Sequence, residues 1–307
     1  MAGKKTNKGP FTAAVISNKK IGCDFYRLSL EFDGTAAKAF AKLIPGQFAQ
    51  LDLTNTCLPP NNIIPPDLAD AADRNILLRR PFSFCSASCK DKKATAEILY
   101  CVVGPASLRM TTLAKRDTIN IIGPLGNGFI VPKNKKTALI VIGGMGAGPL
   151  LHLVKLLKKK HPRIRPVVFA GAKSECCLPF KIKKKTKLKF SLPEFAKDKI
   201  ETFTTTDDGS LGIKGFVTDC LKDWLNCQKP SAAETIIYSC GPEAMLAEIA
   251  RIAEKFNIDC QVSTERTMAC GTGLCQSCAV ECKEDTGTVY KMCCKDGPVF
   301  DAKTVKW

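Results

Sequence analysis

Residues 268–278 of the chain read Met-Ala-Cys-Gly-Thr-Gly-Leu-Cys-Gln-Ser-Cys, and residues 291–298 read Lys-Met-Cys-Cys-Lys-Asp-Gly-Pro. The first three cysteines have the spacing C-x4-C-x2-C, and a fourth cysteine lies about one loop further along. This is the plant-type spacing for a [2Fe–2S] cluster, whose two irons are held by four thiolates. Gly271 and Gly273 suit a backbone that wraps closely around a cluster. We therefore predict an iron–sulfur site in this stretch.

A structural zinc site and a disulfide pair are the alternatives for these cysteines. Zinc ribbons usually supply two C-x2-C knuckles. Here the first gap is four residues and the fourth ligand has no C-x2-C partner, which favours the cluster. Spacing alone does not choose the fourth ligand between the adjacent Cys293 and Cys294, and Cys282 is a weaker third candidate.

Length and composition bound the organisation of the chain. Its 307 residues, 45% hydrophobic and 24% charged, are enough for about two domains and a small module. The sequence has no run of about 18 apolar residues, so we expect no membrane span, and its basic start lacks the apolar core of a signal peptide. Seventeen cysteines without a secretory signal therefore predict free thiols and cluster ligands in a reducing cytoplasm.

The formal net charge of +17 raises the question of nucleic-acid or anionic-membrane binding. Lysines concentrate in residues 155–165 and 181–189 without interleaved aromatic residues, and no nucleic-acid motif is present. We interpret the charge as a solvated surface, with an acidic protein partner as a minor possibility, and we predict no nucleic-acid partner. His152 and His161 are interpreted as surface residues without a chemical role.

Residues 11–129 have the pattern of an antiparallel β-barrel. Apolar and polar side chains alternate in residues 26–32, the period of a half-buried strand. Further strands are predicted at residues 47–53, 81–87, 95–103 and 118–122, with a short helix at 107–114. Many short strands separated by Gly and Pro are typical of a small barrel. The Pro-rich residues 56–75 are predicted to form a surface insertion.

From residue 137 the pattern changes to alternating strands and helices. Residues 138–142 are a continuous apolar run that ends in glycines and precedes a predicted helix at 150–160. Further strands are predicted at residues 166–170, 202–204 and 235–239, and helices at 214–225 and 242–256. This alternation indicates a parallel sheet built from βαβ units. The predicted architecture is multidomain β plus α/β: a barrel at 10–134, an α/β domain at 135–262 and a cysteine module at 263–307.

Two motifs in the barrel suit a flavin. Residues 78–84, Leu-Arg-Arg-Pro-Phe-Ser-Phe, contain an arginine that can pair a phosphate and a Ser83 hydroxyl that can meet a flavin ring. Residues 103–107 precede a predicted helix, where open N–H groups can receive a pyrophosphate. Taken alone, the first motif is weak evidence, because most arginines are surface charges, and the second is better explained as an ordinary strand-to-helix turn. The glycine-rich residues 122–129 are interpreted as a barrel-closing turn.

Three motifs in the α/β part suit a dinucleotide. Residues 142–150, Ile-Gly-Gly-Met-Gly-Ala-Gly-Pro-Leu, join a buried strand to a helix through the glycine turn that a pyrophosphate requires. Residues 206–210 and 239–243 follow later strands at the carboxyl edge of the sheet, where ligands of such sheets bind. Cys240 could lie against a nicotinamide, although a lone strand-end cysteine is more often a packing residue.

Taken in order, these motifs resemble those of the ferredoxin-reductase superfamily. They are most similar to the iron–sulfur electron-transfer subunits of class 1B dihydroorotate dehydrogenases. The resemblance covers almost the whole chain and is most specific in residues 265–275 and in the tail 294–300, Cys-Lys-Asp-Gly-Pro-Val-Phe. In this family the last cluster ligand directly precedes that tail, which selects Cys294 over Cys293. The implied ligands are Cys270, Cys275, Cys278 and Cys294.

The resemblance also implies an FAD-binding barrel, a nicotinamide-dinucleotide domain and a C-terminal [2Fe–2S] module. The implied FAD contacts are Arg80, Pro81, Phe82, Ser83, Gly104, Ser107 and Glu265. The implied NAD contacts are Gly143, Gly144, Gly146, Asp208, Cys240 and Gly241. Residues 104–107, Gly-Pro-Ala-Ser, replace the family's usual Gly-x-Gly-Thr. No catalytic acid–base residue is expected.

The function implied by the resemblance is electron transfer in pyrimidine biosynthesis. A partner catalytic subunit oxidises dihydroorotate at FMN, and electrons pass through the cluster and FAD of this chain to NAD⁺, in a heterotetramer of two of each subunit. The alternative is an NAD(P)H:ferredoxin-type oxidoreductase subunit of another complex, and a binding module with a structural metal ranks third. The residues alone do not choose between NAD and NADP, because no acidic residue clearly follows the second strand of the α/β part and Lys173 there could tolerate a 2′-phosphate. NAD is chosen from the resemblance.

Overall fold

The computed structural model describes residues 8–285 and 287–307. Six antiparallel strands close into a barrel in the order β1-β2-β5-β4-β3-β6. The strands are β1 (Gly9–Lys20), β2 (Phe25–Phe32), β3 (Phe48–Leu51), β4 (Arg80–Lys90), β5 (Lys93–Cys101) and β6 (Thr118–Leu125). The helices of this part are α1 (Gly34–Phe40), α2 (Ala69–Ala72) and α3 (Pro105–Met110). The predicted antiparallel barrel is thus confirmed.

Alternation along β2 fills the barrel. Leu28, Leu30 and Phe32 are buried while the residues between them are only partly covered, as a period of two requires. Phe40 of α1 stacks on Phe32 with ring centroids 3.9 Å apart and meets the edge of Phe84 from β4. Helix α1 therefore contributes a buried aromatic ring to the barrel core.

The Pro-rich insertion between β3 and β4 is anchored on α3. It contains two 3₁₀ turns, at Asn61–Ile63 and Pro66–Leu68, followed by α2. The guanidinium of the buried Arg109 donates from Nη1 to the carbonyl of Ala72 at 2.7 Å. The hydroxyl of Thr112 donates to the carbonyl of Cys57 at 3.2 Å.

A seven-stranded sheet follows the barrel in the order β12-β11-β8-β7-β13-β14-β17. All neighbouring pairs are parallel except β14 with β17. The strands are β7 (Thr137–Gly143), β8 (Arg165–Ala172), β11 (Glu201–Thr206), β12 (Ile213–Lys214), β13 (Thr235–Cys240), β14 (Asp259–Ser263) and β17 (Val299–Asp301). The helices are α4 (Ala147–Lys160), α5 (Pro193–Ala196), α6 (Val217–Gln228) and α7 (Glu243–Lys255). This agrees with the predicted βαβ units.

Two hairpins complete the chain. β9 (Lys183–Lys184) pairs with β10 (Phe190–Ser191), and β15 (Ala279–Glu284) pairs with β16 (Gly287–Met292). Because β17 adds to the main sheet, the cysteine module shares one apolar core with α6, α7 and that sheet. Within the described residues, no helix is long and apolar enough to cross a bilayer.

Two sequence-based interpretations are wrong. His152 is 6% exposed rather than a surface residue, because it lies on α4, which packs against β4 of the barrel. The expectation of free thiols holds for fifteen of the seventeen cysteines and fails for Cys23 and Cys176, which form a disulfide. That bond ties the turn between β1 and β2 to the segment after β8. The spacing of these two cysteines, 153 residues apart, gave no signal of the pair.

Candidate functional site

A cleft of about 270 Å³ lies where the barrel, the carboxyl edge of the sheet and the cysteine module meet. Strand β4 supplies Pro81, Phe82 and Ser83, all predicted flavin contacts. The end of β13 supplies Cys240, and the segment after β14 supplies Glu265. Five of the predicted site residues are thus gathered in one cleft, although they are as far apart in sequence as Pro81 and Glu265.

Aromatic packing holds the β4 wall of the cleft. The Phe82 ring meets Tyr100 of β5 edge-on, with centroids 6.4 Å apart. The Tyr100 hydroxyl donates to the side chain of Asn18 at 3.1 Å, and burial raises its pKa. Two adjacent strands of a closed barrel therefore hold Phe82 and Ser83 in place.

Glu265 projects into the cleft from the opposite side. Its side chain keeps solvent-accessible surface there, yet surrounding protein atoms crowd it and desolvation raises the pKa of its carboxyl. The next residue, Arg266, forms a two-pronged ion pair with Glu243 at 2.8 and 3.0 Å. That pair fixes the backbone beside Glu265 at the start of α7.

The other predicted flavin contacts lie outside this cleft's lining. The Arg80 guanidinium turns back and donates to the carbonyl of Leu78 at 2.7 Å. The Ser107 hydroxyl accepts from the N–H groups of Val103 and Gly104 at 2.9 and 3.2 Å. Ser107 therefore fixes the turn into α3. Arg80, Gly104 and Ser107 stay predictions as cofactor contacts.

The predicted dinucleotide glycines serve close packing between strand ends. A Cβ on Gly146 would lie 2.0 Å from the carbonyl oxygen of Cys240, and a Cβ on Gly143 would lie 2.6 Å from Met245 Sδ. Gly241 packs against Gly143 in the same way. Gly144 has φ of +49°, and a Cβ added there would have no atom within 4 Å, so this glycine faces open space. β7 and β13 are thus brought together at the predicted nicotinamide edge.

Asp208 lies on the loop after β11, outside the lining of the cleft. Its carboxylate accepts from the N–H and the hydroxyl of Ser210 at 2.9 and 2.7 Å. The Ser210 hydroxyl bond is the main cause of the lowered pKa of Asp208. Its role toward NAD stays a prediction.

The cysteine loop turns backbone N–H groups toward sulfur. Cys270 Sγ accepts from the N–H groups of Cys275 and Thr272, both at 3.4 Å. These bonds, that of Cys275 first, lower the pKa of the Cys270 thiol to about 5. The Ser277 hydroxyl, 3.2 Å from Cys275 Sγ, is the main cause of the lowered pKa of Cys275. The pKa of each of these two thiols therefore lies below its usual range.

The adjacent cysteines 293 and 294 face different neighbours. Cys294 Sγ lies 3.2 Å from Cys278 Sγ, and the Cys294 N–H donates to the same sulfur at 3.4 Å. Cys293 Sγ instead donates to the carbonyl of Thr264 at 3.4 Å. Burial raises the pKa of the Cys294 thiol to about 12, so iron binding has to displace that proton.

The four predicted ligands form two pairs, Cys270 with Cys275 and Cys278 with Cys294. In the part of the chain that the structure describes, no three His, Cys, Asp or Glu side chains converge on one ion. A two-iron cluster needs two thiolates per iron. The donor chemistry and the pairing therefore fit a [2Fe–2S] group.

Asn127 was missed by sequence reasoning. Residues 122–129 were interpreted as a barrel-closing turn, but Asn127 also clamps the tail that follows Cys294. Its amide Nδ2 donates to the carbonyls of Asp296 and Val299 at 2.8 and 2.9 Å, and its Oδ1 accepts from the Val299 N–H at 2.9 Å. The Gly-Asn-Gly sequence indicates a tight turn, but it does not identify the segment to which Asn127 bonds.

Residues 265–306 match the iron–sulfur cluster binding domain of dihydroorotate dehydrogenase B. The chain is 33% identical over 293 residues to the dihydroorotate dehydrogenase B (NAD(+)) electron transfer subunit of Caldanaerobacter subterraneus subsp. tengcongensis, covering 95% of this chain and 97% of the relative. The chain belongs to this family. The family's subunit from Listeria monocytogenes is 34% identical over 296 residues, with the same two coverages.

Solved structures agree with a ferredoxin-reductase fold for this dihydroorotate dehydrogenase B family member. A chain of the NADH-dependent reduced ferredoxin-NADP oxidoreductase has a TM-score of 0.72 at 24% identity, covering 100% of this chain and 92% of that one. The ferredoxin NADP⁺ reductase of Neisseria gonorrhoeae, with bound FAD and NADP, has a TM-score of 0.56 at 16% identity and coverages of 80% and 91%. At 24% and 16% identity, these two structures show that the fold is shared.

Proposed function

We propose that the chain is the electron-transfer subunit of a dihydroorotate dehydrogenase. It passes electrons from a partner's FMN, through its own [2Fe–2S] cluster and FAD, to NAD⁺. Family membership over almost the whole length supports this role. The observation that carries it is the cleft in which Ser83, Cys240 and Glu265 meet. One pocket there joins the flavin, nicotinamide and cysteine parts of the chain.

The cofactor set follows from electron counting. A nicotinamide exchanges two electrons at once and an iron–sulfur cluster one at a time, and a flavin supplies the chemistry that connects them. The protein's own residues bind and orient. Pro81, Phe82 and Ser83 line one wall, Cys240 and Met145 line the nicotinamide side, and Glu265 faces them. No proton transfer by these side chains is needed for the proposed role.

The cysteine module is joined to the cleft by short contacts. Thr264 and Pro298 both line the cleft, and the Thr264 N–H donates to the Pro298 carbonyl at 2.9 Å. The Thr264 carbonyl accepts from Cys293, the neighbour of the proposed ligand Cys294. This chain of contacts supports electron exchange between the proposed ligands and the cleft.

The partner would bind at the cysteine loop. Leu274, between two proposed ligands, is 84% exposed, so the loop that would hold the cluster is open to a partner. We propose an FMN-containing catalytic subunit there, in an assembly of two of each chain. The proposed location is the cytoplasm, where the ligand thiols stay reduced until iron binds.

The function is tested first on the chain purified without oxygen. We expect about two irons, two sulfides and one FAD per chain, bleaching of the visible spectrum by NADH, and a rhombic electron paramagnetic resonance signal from the reduced cluster. Zinc in place of iron, or no flavin, would contradict the proposal.

The second test concerns the partner. The isolated chain is expected to be inactive with dihydroorotate, while the mixture with the catalytic subunit reduces NAD⁺ with dihydroorotate and has the mass of two of each chain. Turnover of dihydroorotate by the isolated chain would contradict the subunit role. Reduction of ferredoxin by NAD(P)H without any response to the catalytic subunit would favour the reductase alternative.

A further inference from the structure

Gln50 lies in the middle of β3 and is fully buried. Its backbone is paired with Pro81 on one side and Ile122 on the other. Among the described residues, neither Nε2 nor Oε1 of its side chain has a hydrogen-bond partner. A buried, unpaired amide costs about 1–3 kcal/mol, so such a group calls for a ligand or a functional reason.

The amide of Gln50 points at the cysteine loop. A Cβ built on Gly271 would lie 2.5 Å from Gln50 Nε2 and 2.6 Å from Gln50 Cγ. Gly271 has φ of +70° and directly follows the proposed ligand Cys270. The glycine in this motif thus leaves room for the glutamine, and the unpaired amide lies against the backbone that directly follows the proposed ligand Cys270.

A second buried glutamine, three residues earlier, shows a satisfied amide. Gln47 is 4% exposed. Its Oε1 accepts from the Ile44 N–H, and its Nε2 donates to the Gly126 carbonyl, both at 3.0 Å. Gln47 therefore has a complete structural role within the barrel. The Gln50 amide has no hydrogen-bond partner within the described residues. Its position against Gly271 is the observation that suggests a role for it.

We propose that Gln50 is a positioning residue for the cluster, donating an N–H bond to a sulfur of the bound cluster and so setting the reduction potential. The inference rests on the proposed function. Hydrogen bonds to cluster sulfurs tune the reduction potential, together with net charge and solvent exposure. Because reduction adds negative charge, an N–H donor stabilises the reduced form and raises the potential. The backbone N–H groups of Thr272 and Cys275 already serve Cys270, and Gln50 adds a donor from the barrel.

The test compares Gln50→Leu with Gln47→Leu in the anaerobically purified full-length chain. The midpoint potential is measured by a redox titration followed by electron paramagnetic resonance. For Gln50→Leu we expect reduction to become about tenfold less favourable, which for one electron is a shift of about 59 mV to more negative potential. For Gln47→Leu we expect no shift in potential but a lower melting temperature, since two backbone groups lose their partners.

Stability gives a second readout. Without iron, Gln50→Leu is expected to melt at or above the temperature of the wild-type chain, because an unpaired amide is removed from a buried site. Gln50→Met, of similar length and without a donor, replaces Gln50→Leu if the latter does not fold.

An unchanged potential in a Gln50 variant that holds two irons would overturn the inference and leave the electron-transfer role intact. An equal potential shift in Gln47→Leu would also overturn it, since the effect would not be specific to Gln50. Failure of the wild-type chain to bind iron and flavin would instead count against the proposed function.

Discussion

The barrel contacts two other parts of the molecule in different ways. We call the cysteine module, residues 263–307, the cluster end, and the α/β part, residues 135–262, the dinucleotide end. At the cluster end, the Asn127 amide bonds to the backbone of Asp296 and Val299. At the dinucleotide end, the Cys23–Cys176 disulfide and the ion pairs Arg27–Glu194 and Lys155–Glu97 join the barrel to the sheet side.

The contacts between the barrel and each end, which we call the cluster junction and the dinucleotide junction, differ in the solution conditions that weaken them. Neutral hydrogen bonds to backbone groups depend little on salt and not at all on thiol reagents. Ion pairs near the surface weaken with salt, and a disulfide opens by exchange with thiols. We therefore expect the cluster junction to be constant over solution conditions and the dinucleotide junction to depend on reductant, salt and pH.

The largest expected effect is a difference in iron content between variants of the adjacent Cys293 and Cys294. Cys294→Ala is expected to lose essentially all cluster iron, because the thiol opposite Cys278 is removed. Cys293→Ala, the matched control, keeps about two irons, since Cys293 bonds to Thr264. Iron and sulfide analysis of both variants checks this. The opposite pattern would assign the fourth ligand to Cys293.

Opening the disulfide is expected to cost about 3 kcal/mol of unfolding free energy, since it closes a loop of more than a hundred residues. The double variant Cys23→Ser/Cys176→Ser should show this loss in denaturant unfolding without reductant. Cys227→Ser, which removes an exposed free thiol, serves as the control. Equal stability of the wild-type chain with and without dithiothreitol would contradict this view of the junction.

Asn127→Ala removes the hydrogen bonds that clamp the tail after Cys294. We expect it to lower the free energy of unfolding by about 2 kcal/mol, because three backbone groups lose their partner. The loss should persist at high salt and in reductant, unlike that of the disulfide. Asn120→Ala removes an exposed side chain that accepts one hydrogen bond, from Thr12 at 3.3 Å, within the described residues, and should change stability little. A salt-dependent loss in Asn127→Ala would break the contrast between the two ends.

Acid should loosen the dinucleotide end through His152. Burial lowers its pKa to about 4, so the folded chain keeps it neutral while the unfolded chain takes up a proton below about pH 6.5. Stability therefore falls as pH falls from 6.5 toward 4, by about 2 kcal/mol at pH 5. Urea unfolding of the wild-type chain and His152→Gln at pH 7 and 5 checks this, because the variant should lose less.

The smallest effect is expected from the Lys155–Glu97 ion pair, whose atoms are 3.6 Å apart and partly exposed. Lys155→Gln should lower stability by less than about 1 kcal/mol, and only at low salt. The neighbouring exposed Lys159→Gln is the control. A loss above that of Asn127→Ala would mean that charge, rather than hydrogen bonding, governs the stronger junction.

Local patterns predicted most of the fold. Alternation gave β2, and the apolar run at 138–142 gave β7, because each pattern reports burial within one element. Helix limits were less accurate. α3 begins at Pro105 rather than residue 107, since proline is tolerated in a first turn. α6 begins at Val217 rather than residue 214, because Ile213 and Lys214 pair with β11.

The site was predicted in part. The cysteine spacing identified the loop, and the resemblance named Ser83, Cys240 and Glu265, which lie in one cleft. The contacts of Gln50 with Gly271, Asn127 with Val299, and Cys23 with Cys176 join residues that are far apart in the chain. No local periodicity reports such contacts, so sequence reasoning missed them.

The antiparallel pairing of β17 with β14 has a consequence for the order of biogenesis. Val299 pairs with Ser263, so the edge of β14 gains this partner only after the ribosome has made the four cysteines and the following tail. Docking of the tail positions Cys294 opposite Cys278. Cluster assembly is therefore expected to follow translation. A stalled chain that ends at residue 296 keeps all four proposed ligands but lacks β17, and it should expose β14 and take up little iron from a scaffold donor.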